Sequence, residues 1–186
     1  MKPKISGNNL YKIFGDDPSV ALSLLSAGES KDQIYETTGQ AVGVHDVTFK
    51  VVEGEIFVVM GLSGSGKSTL VRMINGLIKP SAGEILIDGM DVGNCSEEEL
   101  RNIRREKVAM VFQHFALFPH KTVAENVAFG LKIRGVKPGE RRERARAALE
   151  QLVSGRGQTV IPTSFPAACS SAWDWRVGWL RSLKSC

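Results

Sequence analysis

Gly61-Leu-Ser-Gly-Ser-Gly-Lys67-Ser68-Thr69 meets the pattern G-x-x-x-x-G-K-[ST] at every fixed position. These residue types suit one chemistry, the grip of a polyphosphate. Gly61, Gly64 and Gly66 let the backbone turn tightly and approach phosphate oxygens. The N–H groups of the loop, Ser63 and Ser65 among them, form an anion-binding nest, and the helix that follows adds the positive end of its dipole. Lys67 would reach the β- and γ-phosphates and is the first catalytic candidate. The Ser68 hydroxyl would sit on Mg²⁺, and Thr69 would make a further phosphate contact. A Gly/Ser turn between a strand and a helix would look similar in isolation, so the flanks matter.

The flanks read correctly. Glu55-Ile-Phe-Val-Val-Met60 is a short apolar, β-branched run and predicts a buried strand. Leu70-Val-Arg-Met-Ile-Asn-Gly76 has helix-compatible spacing. Upstream, residues 4–14 predict a first strand. Residues 15–43 break the β pattern, with short helices predicted over Pro18–Ala27 and Lys31–Glu36 and a stop at Gly28. Alternation returns over Val42–Val52, with Val44, Val47, Phe49 and Val51 against His45, Thr48 and Lys50. Glu84–Asp88 predicts a strand ending at an Asp-Gly turn, and Ser96 caps a helix whose first turn is acidic. Val108–Phe112 predicts another buried strand. Thr122–Leu131 and Pro138–Leu152 predict helices, the Arg-rich stretch 141–146 being a solvated face.

The 186 residues are enough for one domain with a core, and 42% hydrophobic with 24% charged residues is the balance of a soluble globular chain. A net charge of +4 permits phosphate ligands and gives no argument for nucleic acid as a partner. No apolar run reaches the length of a membrane span, and Met1-Lys-Pro-Lys lacks the apolar core of a signal peptide. The expected location is therefore cytoplasmic, with any membrane role supplied by a partner. Cys95, Cys169 and Cys186 lack metal spacing and are expected to be free thiols.

Four further features narrow the phosphate loop to a resemblance. Val111-Phe-Gln113-His-Phe-Ala-Leu-Phe-Pro119-His resembles the Q-loop of ABC-transporter ATPases. Lys12-Ile-Phe14-Gly15 resembles the A-loop, and Ser81-Ala-Gly83-Glu-Ile-Leu-Ile-Asp88-Gly89 resembles the strand pair after the loop helix. The helical insert at 16–43 resembles one branch, the ATPase subunits of glycine betaine/proline (quaternary amine) importers of the ProV type. The resemblance implies an α/β fold: a P-loop NTPase, ABC-ATPase nucleotide-binding domain, with an antiparallel β edge and a parallel core sheet flanked by helices. Residues 1–151 would be its amino-terminal part, with the helical subdomain beginning near 119. It also implies ATP and Mg²⁺ as cofactors, Phe14 stacking on adenine, and Gln113 as a second catalytic candidate that helps position Mg²⁺ and the attacking water. The implied partners are a membrane permease, contacted after Gln113, and a second ATPase subunit. The implied location is peripheral, on the cytoplasmic face of the inner membrane.

Other parts of that family's pattern do not appear. Nothing after residue 120 resembles an apolar strand ending in Asp-Glu, and no Leu-Ser-Gly-Gly signature is present. His45, His114 and His120 do not occupy the switch-histidine context. Hydrolysis of a phosphoanhydride depends on the groups that orient water and stabilise charge. Residues 152–186 are an aberrant tail, holding Trp173, Trp175 and Trp179 but only one acidic residue, Asp174. Synonymous codons for Val160–Arg176, read one base earlier, can spell Tyr-Pro-Asp-Glu-Leu-Ser-Gly-Gly-Met-Gln-Gln-Arg-Val-Gly-Leu-Ala. Trp173-Asp174-Trp175 can only give Gly-Leu in that frame. A frameshift near Leu152 is the resulting hypothesis, and it fails if the DNA does not spell that segment. A genuinely divergent tail is the rival.

Three functions follow as expectations. The first is the ATP-binding subunit that energises import of glycine betaine or proline, here broken off before the signature and Walker B motifs. The second is a nucleotide-binding module without turnover. The third is a small P-loop kinase, against which the Q-loop-like segment argues. Without later strands, Glu55–Met60 and Val108–Phe112 would lose sheet neighbours and expose apolar surface, so poor stability or aggregation is also expected.

Overall fold

The computed structural model describes residues 2–112 and 117–152. The chain divides into two compact units, Met1–Leu100 and Arg101–Cys186.

In the first unit, β1 (Ile5–Phe14) pairs antiparallel with β2 (Ala41–Val51) on one side and with β3 (Ala82–Ile87) on the other. A short β4 (Met90–Asp91) joins β3 across the Asp88-Gly89 turn, giving the order β2-β1-β3-β4. Asp88 and Gly89 both have positive φ, the geometry a tight hairpin of this twist needs. Lys4 sits 2.9 Å from Asp88, ties the start of β1 to that turn, and has its ammonium pKa raised by the bond.

Both pairings of β1 shift register around Asn9, between Gly7 and Leu10 against β2 and between Asn8 and Tyr11 against β3, and the β2 pairing shifts again between Leu10 and Ile13. Asn9 adopts φ 44° and is held there by β2, its N–H donating to Thr48 Oγ1 at 2.9 Å and its side-chain amide to Asp46 at 3.0 Å. Gly83 on β3 has φ 83°, and a Cβ there would lie 2.1 Å from the Asn9 carbonyl oxygen. No side chain fits where the bulge presses on β3.

The connection from β1 to β2 is the helical insert. Asp17 caps α1 (Pro18–Ser26) by accepting from the Ser19 N–H, with proline in the first turn. Ser30 and Gln33 form a capping box on α2 (Lys31–Thr38), which ends at a left-handed Gly39. The two helices bury Ala21, Leu25 and Ile34 against Ile13, with Tyr11 and Val42 packed around them.

After β2 the chain departs from the strand expectation. Glu55–Met60 is not a strand, and Val108–Phe112 is not a strand either. Among the described residues neither segment joins a sheet, and the parallel core sheet that the resemblance implies is not formed. Ile56 is 90% exposed, Met60 86% and Leu62 85%. The reason is neighbours. A run apolar on both faces is a central strand of a covered sheet, and its backbone needs a ladder on each side. The described ladders all belong to the antiparallel set.

The remaining helices match their sequence signals. The phosphate loop leads into α3 (Lys67–Ile74), which buries Leu70 and Met73. Ser96 and Glu99 exchange capping hydrogen bonds at the start of α4 (Glu97–Glu106), and these bonds hold the Glu99 carboxyl below its usual pKa. In the second unit, α5 (Val123–Ile133) and α6 (Pro138–Leu152) pack together and bury Val123, Ala128, Ala145 and Leu149.

Candidate functional site

Gly61–Ser65 are exposed, Gly66 is half-buried, and the end of the loop is fixed by α3. Gly66 caps the helix with φ 90°, and a Cβ on it would fall 2.1 Å from the Gly43 carbonyl oxygen of β2. Glycine is therefore required twice over at 66, by backbone angle and by space. The loop is drawn closed by Lys67. Its ammonium donates to the carbonyls of Gly61 at 2.8 Å and of Leu62, and to Ser65 Oγ at 3.2 Å. A lysine ammonium has three protons, so these contacts use its donors on the loop's own concave side. The Ser65 N–H bonds back to Leu62 O at 3.2 Å and tightens the same turn. Gly64 has φ 80° with open space around its Cα. Ser63 and Ser68 are exposed, and Thr69 is half-buried in the first turn of α3.

Phe14 ends β1, opposite Ala41, and the residue is 43% exposed. The ring rests against Gly43, while Lys12 Nζ stands 5.4 Å from its centroid. Gly43 thus touches Phe14 on one side and Gly66 on the other. The structure brings the A-loop-like aromatic and the phosphate loop to one place on β2, a convergence their separation of about fifty residues in the sequence does not reveal. The missed residue is Gly43 itself. Its one sequence signal is a glycine inside an alternating strand pattern, which marks a close approach. Gln113 lies outside the described residues.

The segment on the near side of α5 is built around a second residue that sequence reasoning passed over. Asn126 is buried and accepts from the Phe118 N–H at 2.7 Å, while its amide donates to the carbonyls of Phe118, Lys121 and Thr122. Phe118 meets Phe129 edge-on at 4.6 Å, and Lys121 Nζ lies over both rings. Thr122 and Glu125 form a capping box that holds the Glu125 carboxyl below its ordinary pKa, chiefly through the Thr122 N–H. Phe118-Pro119-His120 is therefore a shaped turn rather than a loose strand end.

The described residues thus set a glycine-rich loop that closes on a helix beside an antiparallel sheet, with Phe14 at the end of β1. The family model described as ABC transporter matches residues 44–183, and the chain belongs to that family. Within it, the chain is 50% identical over 183 residues to the glycine betaine/proline betaine transport system ATP-binding protein ProV of Escherichia coli (strain K12), covering 98% of this chain and 45% of that one. It is 47% identical to the glycine betaine transport ATP-binding protein OpuAA of Bacillus subtilis (strain 168), covering 97% of this chain and 42% of that one. The chain thus spans less than half the length of these curated relatives. Among solved structures, the dimeric post-hydrolysis state of the ATP-binding cassette MJ0796 bound to ADP and Pi superposes with a TM-score of 0.73 at 29% identity, covering 96% of this chain and 68% of that one. The ABC-ATPase fold is therefore the fold of this chain, with only its antiparallel layer built as sheet in the described residues. Among those residues no helix is long and apolar enough to cross a membrane.

Proposed function

We propose that this chain binds ATP or ADP at Gly61–Thr69, as the nucleotide-gripping part of a subunit that energises import of glycine betaine or proline. The observation that carries the reading is the meeting of the phosphate loop and Phe14 at Gly43. Phosphate oxygens would take over the three donors that Lys67 now gives to Gly61, Leu62 and Ser65. The loop N–H groups and the α3 dipole add to that grip. Adenine would lie on the exposed Phe14 ring. Ser68, exposed on the first turn of α3, offers an oxygen donor of the kind Mg²⁺ accepts, and Gln113 would be its second contact. Bound Mg²⁺ would neutralise charge on the β- and γ-phosphates.

In the full machine the partners would be a permease, met through the region after Gln113, and a second ATPase subunit. The location would be the cytoplasmic face of the membrane. The relatives named for glycine betaine transport support that solute class.

A second reading, nucleotide binding without turnover, is favoured by residues 121–186, which hold no Leu-Ser-Gly-Gly segment. One set of measurements decides between them. ATP affinity by calorimetry should fall about tenfold to a hundredfold in Lys67→Ala, the range for loss of charge-assisted bonds. Phosphate release that rises with permease supports the coupled subunit, and binding without release supports the second reading. Unchanged affinity in Lys67→Ala would reject the site itself.

A further inference from the structure

The φ of Gly43 does not demand glycine. It lies within β2 at the register shift where Lys12 pairs with Val44 and Ile13 with Val42, and it is absent from the residues with positive φ. A glycine in a strand interior weakens the strand unless something approaches closely. The approaching group is the Phe14 ring. A Cβ on Gly43 would stand 2.7 Å from Phe14 Cε2 and 3.3 Å from Cδ2, with the Lys12 carbonyl oxygen at 3.4 Å. A real Cβ does not come that near a ring carbon, and the strand backbone gives way less readily than a side chain. A methyl group at 43 must therefore move the ring. The carbonyl of the same residue is the stop against which Gly66 seats, 2.1 Å from where a Cβ on Gly66 would be.

We infer that Gly43 is a positioning residue for the nucleotide base. Its bare Cα seats the Phe14 ring and its carbonyl seats the phosphate loop, so one residue sets the spacing between the base platform and the phosphate grip. The consequence is selectivity for an adenine nucleotide over a bare polyphosphate. This rests on the nucleotide-binding reading and deepens it. A methyl at 43 displaces the platform and leaves Lys67, Ser68 and the loop N–H groups untouched.

The full chain is titrated calorimetrically with Mg²⁺–ATP and with Mg²⁺–tripolyphosphate, as wild type, Gly43→Ala, Phe14→Ala, the double variant and Lys67→Ala. Gly43→Ala should weaken ATP about fivefold to tenfold, the lower part of the range for a base on an aromatic ring. Tripolyphosphate affinity should not move. In the Phe14→Ala background, adding Gly43→Ala should change nothing further, because the two act through one ring. The role of Gly43 is overturned if ATP and tripolyphosphate weaken alike, if ATP affinity is unchanged, or if the effect persists without the ring. Phe14→Ala with full ATP affinity removes the platform and Gly43's role with it. Lys67→Ala with full tripolyphosphate affinity instead sinks the phosphate-loop reading.

Discussion

Val44–Val51 and Ile56–Met60 both read as strands, the first an alternation of Val44, Val47, Phe49 and Val51 with polar residues and the second an unbroken apolar run. The first is β2, laddered against β1 along its length, with Val44 and Phe49 buried. The second is unladdered among the described residues and turns Ile56, Val58 and Met60 outward. Strand preference does not separate them. β2 has a partner reached by a local connection, the helical insert, which also supplies the Ile34 core over the hairpin. Glu55–Met60 has the pattern of a central strand, and a central strand needs two neighbours at once. A short β-prone run without neighbours is unpaired backbone and exposed apolar surface.

The largest effect that can break this contrast is a pair of truncations. Ile34→Ala should cost about 2–5 kcal/mol in denaturant unfolding, as a cavity at a fully buried site. Ile56→Ala should stay within about 0.5 kcal/mol, as an exposed substitution. Equal costs would mean that the 55–62 run is packed in solution, and the contrast would be gone. Next comes Asn126→Ala, which strips the bonds shaping Phe118–Thr122 and should cost about 1–3 kcal/mol. An unchanged midpoint would show that the turn holds without it. The exposed run should also bind an apolar-surface dye. Ile56→Ser combined with Met60→Ser should lower that signal, and a chain that binds no dye while melting cooperatively would refute the exposure.

The smallest effect is one of pH. The Glu125 carboxyl is held below its unfolded value by Thr122. Its contribution is thus present above the unfolded pKa and lost as pH falls through the lower folded one. Wild type should lose α5 helicity as pH drops below about 4.5, the unfolded glutamate value. Thr122→Ala should flatten that acid dependence in circular dichroism, and an identical acid limb in both would remove the cap from the account.

Much of the local structure was legible because its causes are local. Ser96 and Thr122 announce helix starts by the bonds their hydroxyls accept, and Gly28, with φ 90°, stands just past the end of α1 as the expected stop. The phosphate loop was legible for the same reason, since Gly66 and Lys67 act on backbone within a few residues. Two roles escaped the sequence reading, and both depend on distant chain. Gly43 matters through Phe14 and Gly66, and Asn126 through a turn that a single side chain ties together.

The sequence by itself determined the family, the glycine-rich loop, the helical insert and the helix caps it signalled, the last three because short-range sterics and hydrogen bonding decide them. The tertiary structure alone decided which apolar runs became strands and that Phe14 meets the phosphate loop at Gly43. Strand formation and convergence on a site are questions of which distant segment supplies the neighbour, and a residue's own pattern carries no record of that.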